Sequence, residues 1–464
     1  MEEIVNVLVA DDSAYLRKNI ADILKEHDLV NIVDFAKDGK EAVEYVKKYS
    51  PDVLVLDLVM PKMNGLDAFK LIMEEHPTPT VILSAISPKN LDSSIQALLM
   101  GAFDYIIKPG GIGAKDLPMF REELLAKVLL ASQSQIKRIF RKEESVLKKS
   151  RTLRQEMVDR IFDFGQYLNR LQPIQEIGDE YAKDSFEIMK VKAILKEEIK
   201  PEVVGESSNK VSTISVKQDE DSSLKVSAQS ISLSKSVKKR KDKTTLQKAI
   251  SPVQIKKKKP AYIPDLTPVK GATITSNIIV MGASVGGPRT LTTILKEIPR
   301  GFNAPILIVQ HLSSHFTDAF TDNLNIECDL KVKVAKNGDY LQSGYVYIAP
   351  GDMHTEISIE NKKPLIKIYK GTPVNYCMPS IDVLFYSAAK IFRNRAMGIL
   401  LTGMGSDGVN GLGAIKRMGG KTIAEAEETS ILYAMPKFAK EKGFTNLVLP
   451  NYEIKDEIVK FVKN

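Results

Sequence analysis

The run NIIVMGASVGGP, Asn277 to Pro288, decides how the second half of this chain is read. Four apolar residues, Ile278 to Met281, give way to Gly282, Ala283, Ser284, Val285, Gly286 and Gly287, and Pro288 then suits the first turn of a helix. Strand, sharp turn and helix follow from that order. Two chemistries share such a turn. A glycine-rich loop lets backbone approach a nucleotide phosphate, whereas G-x-S-x-G, here Gly282 to Gly286, exposes a serine hydroxyl and aims helix N–H groups at a developing oxyanion. The dinucleotide fingerprint needs Gly where Ser284 stands and an acid about twenty residues on; His311 occupies roughly that place.

Outward from this run, PILIVQH, GYVYIAP, AMGILLTGMGSDG and GKTIAEAE repeat the pattern of a short apolar segment ending in small or polar residues. Helices are expected near 287–298, 379–392 and 408–418, and HTEISI with PLIKIYK reads as a β-hairpin. The layout is a doubly wound α/β domain. A nucleophilic serine needs a base, and the base needs an orienting group. Of five histidines, His27 and His76 fall in the first 117 residues, which leaves His311 at a strand end, His315 one helical turn on, and His354 in the loop APGDMHTEI. The strand-end position makes His311 the leading base. For the acid, Asp407 sits in a glycine-rich turn after four apolar residues, while Asp352 and Asp382 lie in less constrained contexts. A glycine-flanked Asp also serves simply as a helix cap. The order Ser284, His311, Asp407 is not the Ser, Asp, His order of α/β-hydrolases.

The N-terminal part reads as a second α/β unit. VNVLVA, DVLVLD, TVILSA and FDYIIKP are short and rich in Val, Ile and Leu, with amphipathic segments between them, as in a parallel sheet wrapped by helices. The strand ends carry Asp11 and Asp12, then Asp57, Ser84, and Lys108 before Pro109. Three carboxylates at one sheet edge repel one another and stay ionised together only with a cation, for which oxygen ligands and a hard divalent ion such as Mg2+ are suited.

Composition sets the remaining bounds. A chain of 464 residues exceeds one ordinary core, and its 43% apolar and 27% charged content is that of globular protein. No apolar run approaches membrane-spanning length and no secretion signal opens the chain, so a cytoplasmic protein without membrane insertion is expected. Cys328 and Cys377 are too few and too isolated for a disulfide framework or a cysteine zinc site, and both are given core or surface roles. The net charge of +8 is local: residues 231 to 260 hold eleven Lys/Arg against the single Asp242. That run lies in a Ser/Lys-rich tract from about Pro201 to Pro268 that cannot bury enough surface to order itself. A solvated spacer is the reading, with a tether to an anionic surface as the other; no specific nucleic-acid partner is expected. From about Phe120 to Lys200, helical spacing predominates. The domains are therefore 1–130, a helical segment then basic low-complexity linker over 131–270, and a catalytic domain over 271–464.

On Asp11, Asp12, Asp57, Ser84 and Lys108, the first 130 residues resemble the response-regulator receiver, a flavodoxin-like five-stranded parallel sheet. The resemblance implies that Asp57 accepts a phosphoryl group from a histidine kinase, that Asp11, Asp12, Asp57 and the Val59 carbonyl hold Mg2+, and that Lys108, Ser84 and Tyr105 are the switch residues. On IIVMGASVGGP, VQHLSSHF, YIAPGDMH, GILLTGMGSDG and ILYAMP, residues 275–464 resemble the CheB chemotaxis protein-glutamate methylesterases. That resemblance implies a seven-stranded α/β domain, cofactor-free hydrolysis of glutamate methyl esters on methyl-accepting chemoreceptors, and often deamidation of receptor glutamines. It makes Ser284 the nucleophile, His311 the base and then acid, Asp407 the acid that orients His311, and the Met404 and Val285 N–H groups oxyanion donors. The receiver would pack over the Ser284 cleft until Asp57 is phosphorylated. Val285 stands where the family usually has Thr, and the linker is far longer than the usual tether. A receiver-gated adaptor that binds receptor helices without turnover is the alternative expectation.

Overall fold

Two parallel sheets organise the chain, and the central strands of each are buried on both faces. The computed structural model describes residues 4–85, 87–109, 117–142, 266–267, 274 and 276–463. In the first sheet, β1 (Val5–Ala10), β2 (Val30–Ala36), β3 (Val53–Asp57), β4 (Thr80–Ser84) and β5 (Asp104–Ile107) lie in the order β2-β1-β3-β4-β5, all parallel. Every residue of β3 and β4 is buried, as expected where helices cover both faces. The covering helices are α1 (Ala14–Leu24), α2 (Gly39–Tyr49), α3 (Gly65–Glu75), α4 (Pro88–Met100) and α5 (Leu117–Ser132). Short polar residues start four of them: Ser13, Asp38, Asn64 and Ser87 accept the N–H of Leu16, Glu41, Asp67 and Asn90. Each such cap contributes about 1 kcal/mol.

The second sheet has the order β14-β13-β12-β6-β7-β9-β8, again parallel throughout. Its strands are β6 (Ile278–Ala283), β7 (Ile306–Gln310), β8 (Lys331–Val334), β9 (Tyr345–Ile348), β12 (Ala396–Leu400), β13 (Lys421–Glu425) and β14 (Leu447–Leu449). The helices are α6 (Gly287–Leu295), α7 (Ser314–Glu327), α8 (Ile381–Phe392), α9 (Val409–Arg417), α10 (Met435–Glu441) and α11 (Asn451–Lys463). The expected hairpin is present as β10 (His354–Glu360) and β11 (Lys363–Tyr369), antiparallel with His354 opposite Tyr369. Helices expected from 379 and 408 start slightly later, because Ser380 takes the N-cap position of α8 and Gly408, at φ 83°, that of α9. β6 is central, with β7 on one side and β12 on the other. The chain's order reverses there, and that crevice is where doubly wound sheets do chemistry.

Of the helical and linker tract expected over 131–270, residues 131–142 and 266–267 are described and the rest lies outside the described residues. Residues 136–142 form a helical segment after α5. This segment straps the two sheets together. The Gln135 N–H donates to the Ile431 carbonyl at 3.0 Å, Lys142 pairs with Glu428 at 2.8 Å, and Arg289 lies over the Phe140 ring at 4.7 Å. On the other side, Lys137 donates to the Pro51 carbonyl at 3.0 Å. Apolar residues of the first sheet, of α4 and of residues 136–139 share one continuous core with β6, α6 and α7. Among the described residues, no helix is long and apolar enough to cross a membrane.

At the end of β13 one carboxyl group ties the second sheet's loops together. Glu425 is fully buried and accepts the Thr402 N–H at 2.8 Å and the Thr290 and Thr429 hydroxyls at 3.2 and 3.0 Å. Burial pushes its pKa from 4.5 up to about 7, against the three hydrogen bonds that favour the carboxylate. A folded-state value above the unfolded one means that the native protein binds the extra proton. Wild type therefore loses stability as pH rises from about 4.5 to 7. Glu425→Gln lacks this loss, so the stability of the variant relative to wild type should improve by roughly 3 kcal/mol over that interval. Urea unfolding of both proteins across pH 5 to 8 reads the difference, and a gap independent of pH would contradict it.

Candidate active site

The three residue types expected to work together arrive at one crevice from three adjacent strands. Ser284 follows β6, His311 follows β7, and the turn holding Asp407 follows β12. The turn after β6 is tight because of glycine. Gly286 adopts φ 76°, and a Cβ there would fall 2.6 Å from the Ile431 side chain; a Cβ on Gly403 would fall 2.6 Å from that of Ser284. The Ser284 N–H donates to the Thr402 carbonyl at 3.0 Å, and the Thr402 hydroxyl donates to the Val285 carbonyl at 2.9 Å. The turn is thus held from the β12 loop, which Glu425 in turn anchors.

His311 Nε2 lies 3.0 Å from Asp407 Oδ2. The carboxylate accepts only, so Nε2 carries a proton, and in the neutral ring Nδ1 is the nitrogen left with the lone pair. Asp407 is buried and saturated: besides His311 it accepts the Ser380 hydroxyl at 2.7 Å, the Ile381 N–H at 2.6 Å, the Asp382 N–H at 3.3 Å and the Asn375 amide at 2.9 Å. These bonds hold its pKa below the ordinary carboxylate value although burial works the other way. For His311, burial opposes the imidazolium, but Asp407 and the Cys377 sulfur outweigh it and push the pKa up to about 10. Cys377 Sγ sits 3.9 Å from Nδ1. Asp382, buried beside Asp407 and repelled by it, has its carboxyl pushed up to about 6 while donors from Asn375 and Gly411 hold it in place.

Ser284, Val285, His311, Cys377 and Met404 line one cavity of about 700 Å³. Among the described residues, the Ser284 hydroxyl and the N–H groups of Val285 and Met404 take no hydrogen-bond partner. The opposite wall of the cavity comes from β5 and α5: Tyr105, Met119, Glu123 and Lys127 face it. The Tyr105 hydroxyl meets the Ser313 hydroxyl and N–H at 3.3 Å each, and its ring packs 3.9 Å from that of Phe316. Lys127, paired with Asp104 and Glu123, lies 5.1 Å from the Tyr105 ring centroid.

At the C-terminal edge of the first sheet, Asp11, Asp12 and Asp57 place one carboxylate oxygen each within 4.8 Å of the others. Lys108 bridges Asp11 and Asp57 at 2.8 Å to each. Burial pushes the Asp57 carboxyl upward, and Lys108 offsets part of that. An all-oxygen, triply acidic donor set fits a hard divalent cation. The Val59 N–H donates to Asp57 at 3.1 Å. Ser84 accepts the Ser94 hydroxyl at 2.9 Å.

The remaining candidates separate cleanly. His315 is exposed on α7, and His354 is buried at the start of β10, where its two nitrogens meet the Thr372 carbonyl and the Ser380 N–H. Asp352 accepts from Ser314. Asn375, Cys377, Ser380 and Glu425 carry the site; Cys377, expected in a core or surface role, instead lines the cavity beside His311, and the other three have no role assigned from the sequence. Asn375, Cys377 and Ser380 lie in VNYCMPS, a stretch with no strand-end signal, and Glu425 reads there as an ordinary strand residue.

Residues 279–458 match the CheB methylesterase family and residues 7–115 the response regulator receiver domain family. The protein-glutamate methylesterase/protein-glutamine glutaminase of Pyrococcus horikoshii is 30% identical over 459 residues, covering 99% of this chain and 94% of that protein. Its Methanococcus maripaludis counterpart is 31% identical, covering 99% and 98%. Among solved structures, the Thermotoga maritima CheB methylesterase catalytic domain is 38% identical over 41% of this chain and all of that one, with a TM-score of 0.40. With two domain families matched in order and relatives aligned from end to end, the chain belongs to the CheB family of protein-glutamate methylesterases, as a receiver domain followed by a methylesterase domain.

Proposed function

We propose that this chain is a cytoplasmic chemotaxis enzyme, with a receiver at 1–130, a linker at 131–270 and a catalytic domain at 271–464. It hydrolyses glutamate methyl esters on methyl-accepting chemoreceptors, deamidates receptor glutamines at the same site, and is switched on by phosphorylation of Asp57. The observation that carries the reading is the pair His311–Asp407 beside the Ser284 turn, inside a cavity roofed by the receiver.

Because Nε2 is committed to Asp407, Nδ1 is the atom that takes the proton from the Ser284 hydroxyl. The alkoxide adds to the ester carbonyl, and the Val285 and Met404 N–H groups receive the oxyanion; each such donor is worth about 3 kcal/mol. The Nδ1 proton then leaves with methoxide as methanol. Water, deprotonated by the same nitrogen, releases the glutamate carboxylate. Val285 keeps the backbone donor and carries no hydroxyl where the family usually has Thr.

The receiver supplies the switch. Asp57 accepts the phosphoryl group from a histidine kinase, with Asp11, Asp12, Asp57 and the Val59 carbonyl holding Mg2+, which neutralises the charge gathered there. A phosphate on Asp57 competes for Lys108 and offers an acceptor to Ser84, drawing Ser84 from Ser94. Tyr105 then leaves Ser313 and Phe316, and the receiver wall moves off the cavity.

Methanol release from methylated chemoreceptor membranes should require Ser284, fall to background in Ser284→Ala, and rise with a small phosphodonor and Mg2+ in wild type but not in Asp57→Ala. No release from folded protein on a matched receptor would move the reading to a receiver-gated adaptor. His311 must lose its proton to act, so turnover of the unphosphorylated protein should climb with pH toward His311's value of about 10. Asp407→Asn should lower kcat on the order of 10⁴-fold. A flat pH profile, or an unimpaired Asp407→Asn, would remove His311 and Asp407 from the mechanism.

A further inference from the structure

Cys377 places a sulfur on the side of His311 from which the proton must be taken. It stands 3.9 Å from Nδ1, and the thiol also lies 3.4 Å from the Asn375 carbonyl, within its own turn. His311, Cys377 and Asp407 offer ligand atoms within 4.8 Å of one another. Asp407, however, already accepts five hydrogen bonds and has no free position. Its part is different: it fixes the imidazole by taking Nε2–H and leaves Nδ1 aimed into the cavity, the way a carboxylate steadies a metal-ligating histidine.

We propose that His311 Nδ1 and Cys377 Sγ form a binding site for a thiophilic divalent cation, Zn2+ as its type, which shuts off the esterase by occupying the nitrogen that serves as base. The catalytic consequence rests on the reading of His311 given above; the metal site itself does not. A tetrahedral zinc with bonds of about 2.0 Å to nitrogen and 2.3 Å to sulfur sets the two ligands about 3.6 Å apart. The present 3.9 Å needs to close by only a few tenths of an ångström. Water from the cavity completes the coordination. On binding, Zn–N and Zn–S bonds form, the S–H bond breaks, and its proton goes to solvent, as does the Nδ1 proton where His311 is protonated.

Ligand chemistry sorts two metals to two ends of the chain. Asp11, Asp12 and Asp57 present oxygen alone, suited to Mg2+, whereas imidazole and thiolate favour Zn2+. The Mg2+ that supports receiver phosphorylation would therefore leave the second site untouched. One cavity would carry two signals of opposite sign: phosphorylation uncovers it, and zinc blocks it.

The test uses the full chain in excess Mg2+, so that the receiver carboxylates do not take up the probe. Co2+ is titrated first and the thiolate-to-cobalt absorption followed in the near ultraviolet. Wild type and Cys328→Ser should develop the band at one equivalent, and Cys377→Ser should not. Zn2+ is then titrated against methanol release, each protein referred to its own metal-free rate. Half-inhibition of Cys377→Ser should need at least tenfold more Zn2+ than wild type, and a chelator should restore wild-type turnover. A band that survives Cys377→Ser, vanishes in Cys328→Ser, or never forms in wild type overturns the site while leaving the esterase reading intact. A Cys377-dependent band in a protein with no turnover upholds the site and overturns the esterase reading instead.

Discussion

The Asp407 carboxylate, buried at 2% exposure, holds the catalytic end of the molecule together. An unpaired carboxylate in that position would cost several kcal/mol. Five donors offset the cost, and each fixes something. Ser380, Ile381 and Asp382 bring the first turn of α8 to the charge, where free N–H groups and the helix dipole favour an anion. Asn375 closes the turn that carries Cys377, and His311 is set in one tautomer with Nδ1 toward the cavity. Move Asp407, and His311, the turn and the helix all lose their common reference.

A second constraint comes from the far side of the cavity. Tyr105 belongs to the receiver by sequence and to the catalytic wall by contact, because Ser313 and Phe316 take its hydroxyl and ring. Lys108, the residue immediately after β5, is bonded to Asp57 at the end of β3. The distance from Asp57 to the cavity wall is thus spanned by one strand, β5, and its flanks. The strap at 135–142, bound to Ile431, Glu428 and Pro51, holds the closed arrangement from behind.

Residues that advertise themselves by position at a strand end are legible in the sequence: Asp11, Asp12, Asp57, Lys108, Ser284, His311 and Asp407 follow apolar runs, and the structure sets them at or after the ends of β1, β3, β5, β6, β7 and β12, whereas β2, β8 and β14 leave no comparable run. Asn375, Cys377 and Ser380 are not legible in this way, because they come from a loop whose route past Asp407 depends on contacts some 30 residues away in sequence, such as the bond from Ser380 to Asp407. Glu425 looks like a strand residue until its three donors, from three separate segments, are seen together. The face that the receiver turns to the catalytic domain is similarly illegible, since Tyr105 and Ser313 are 208 residues apart.

The central claim, that the receiver covers the cavity and phosphorylation uncovers it, is tested most directly at Cys377, which lines the cavity beside His311. The measurement is the rate at which a bulky maleimide alkylates Cys377, located by peptide mass spectrometry, with Cys328 as the internal reference. A phosphodonor with Mg2+ should raise the Cys377 rate several-fold in wild type and leave it unchanged in Asp57→Ala, with Cys328 constant in both. An equal Cys377 rate in the phosphorylated and unphosphorylated protein would contradict the account.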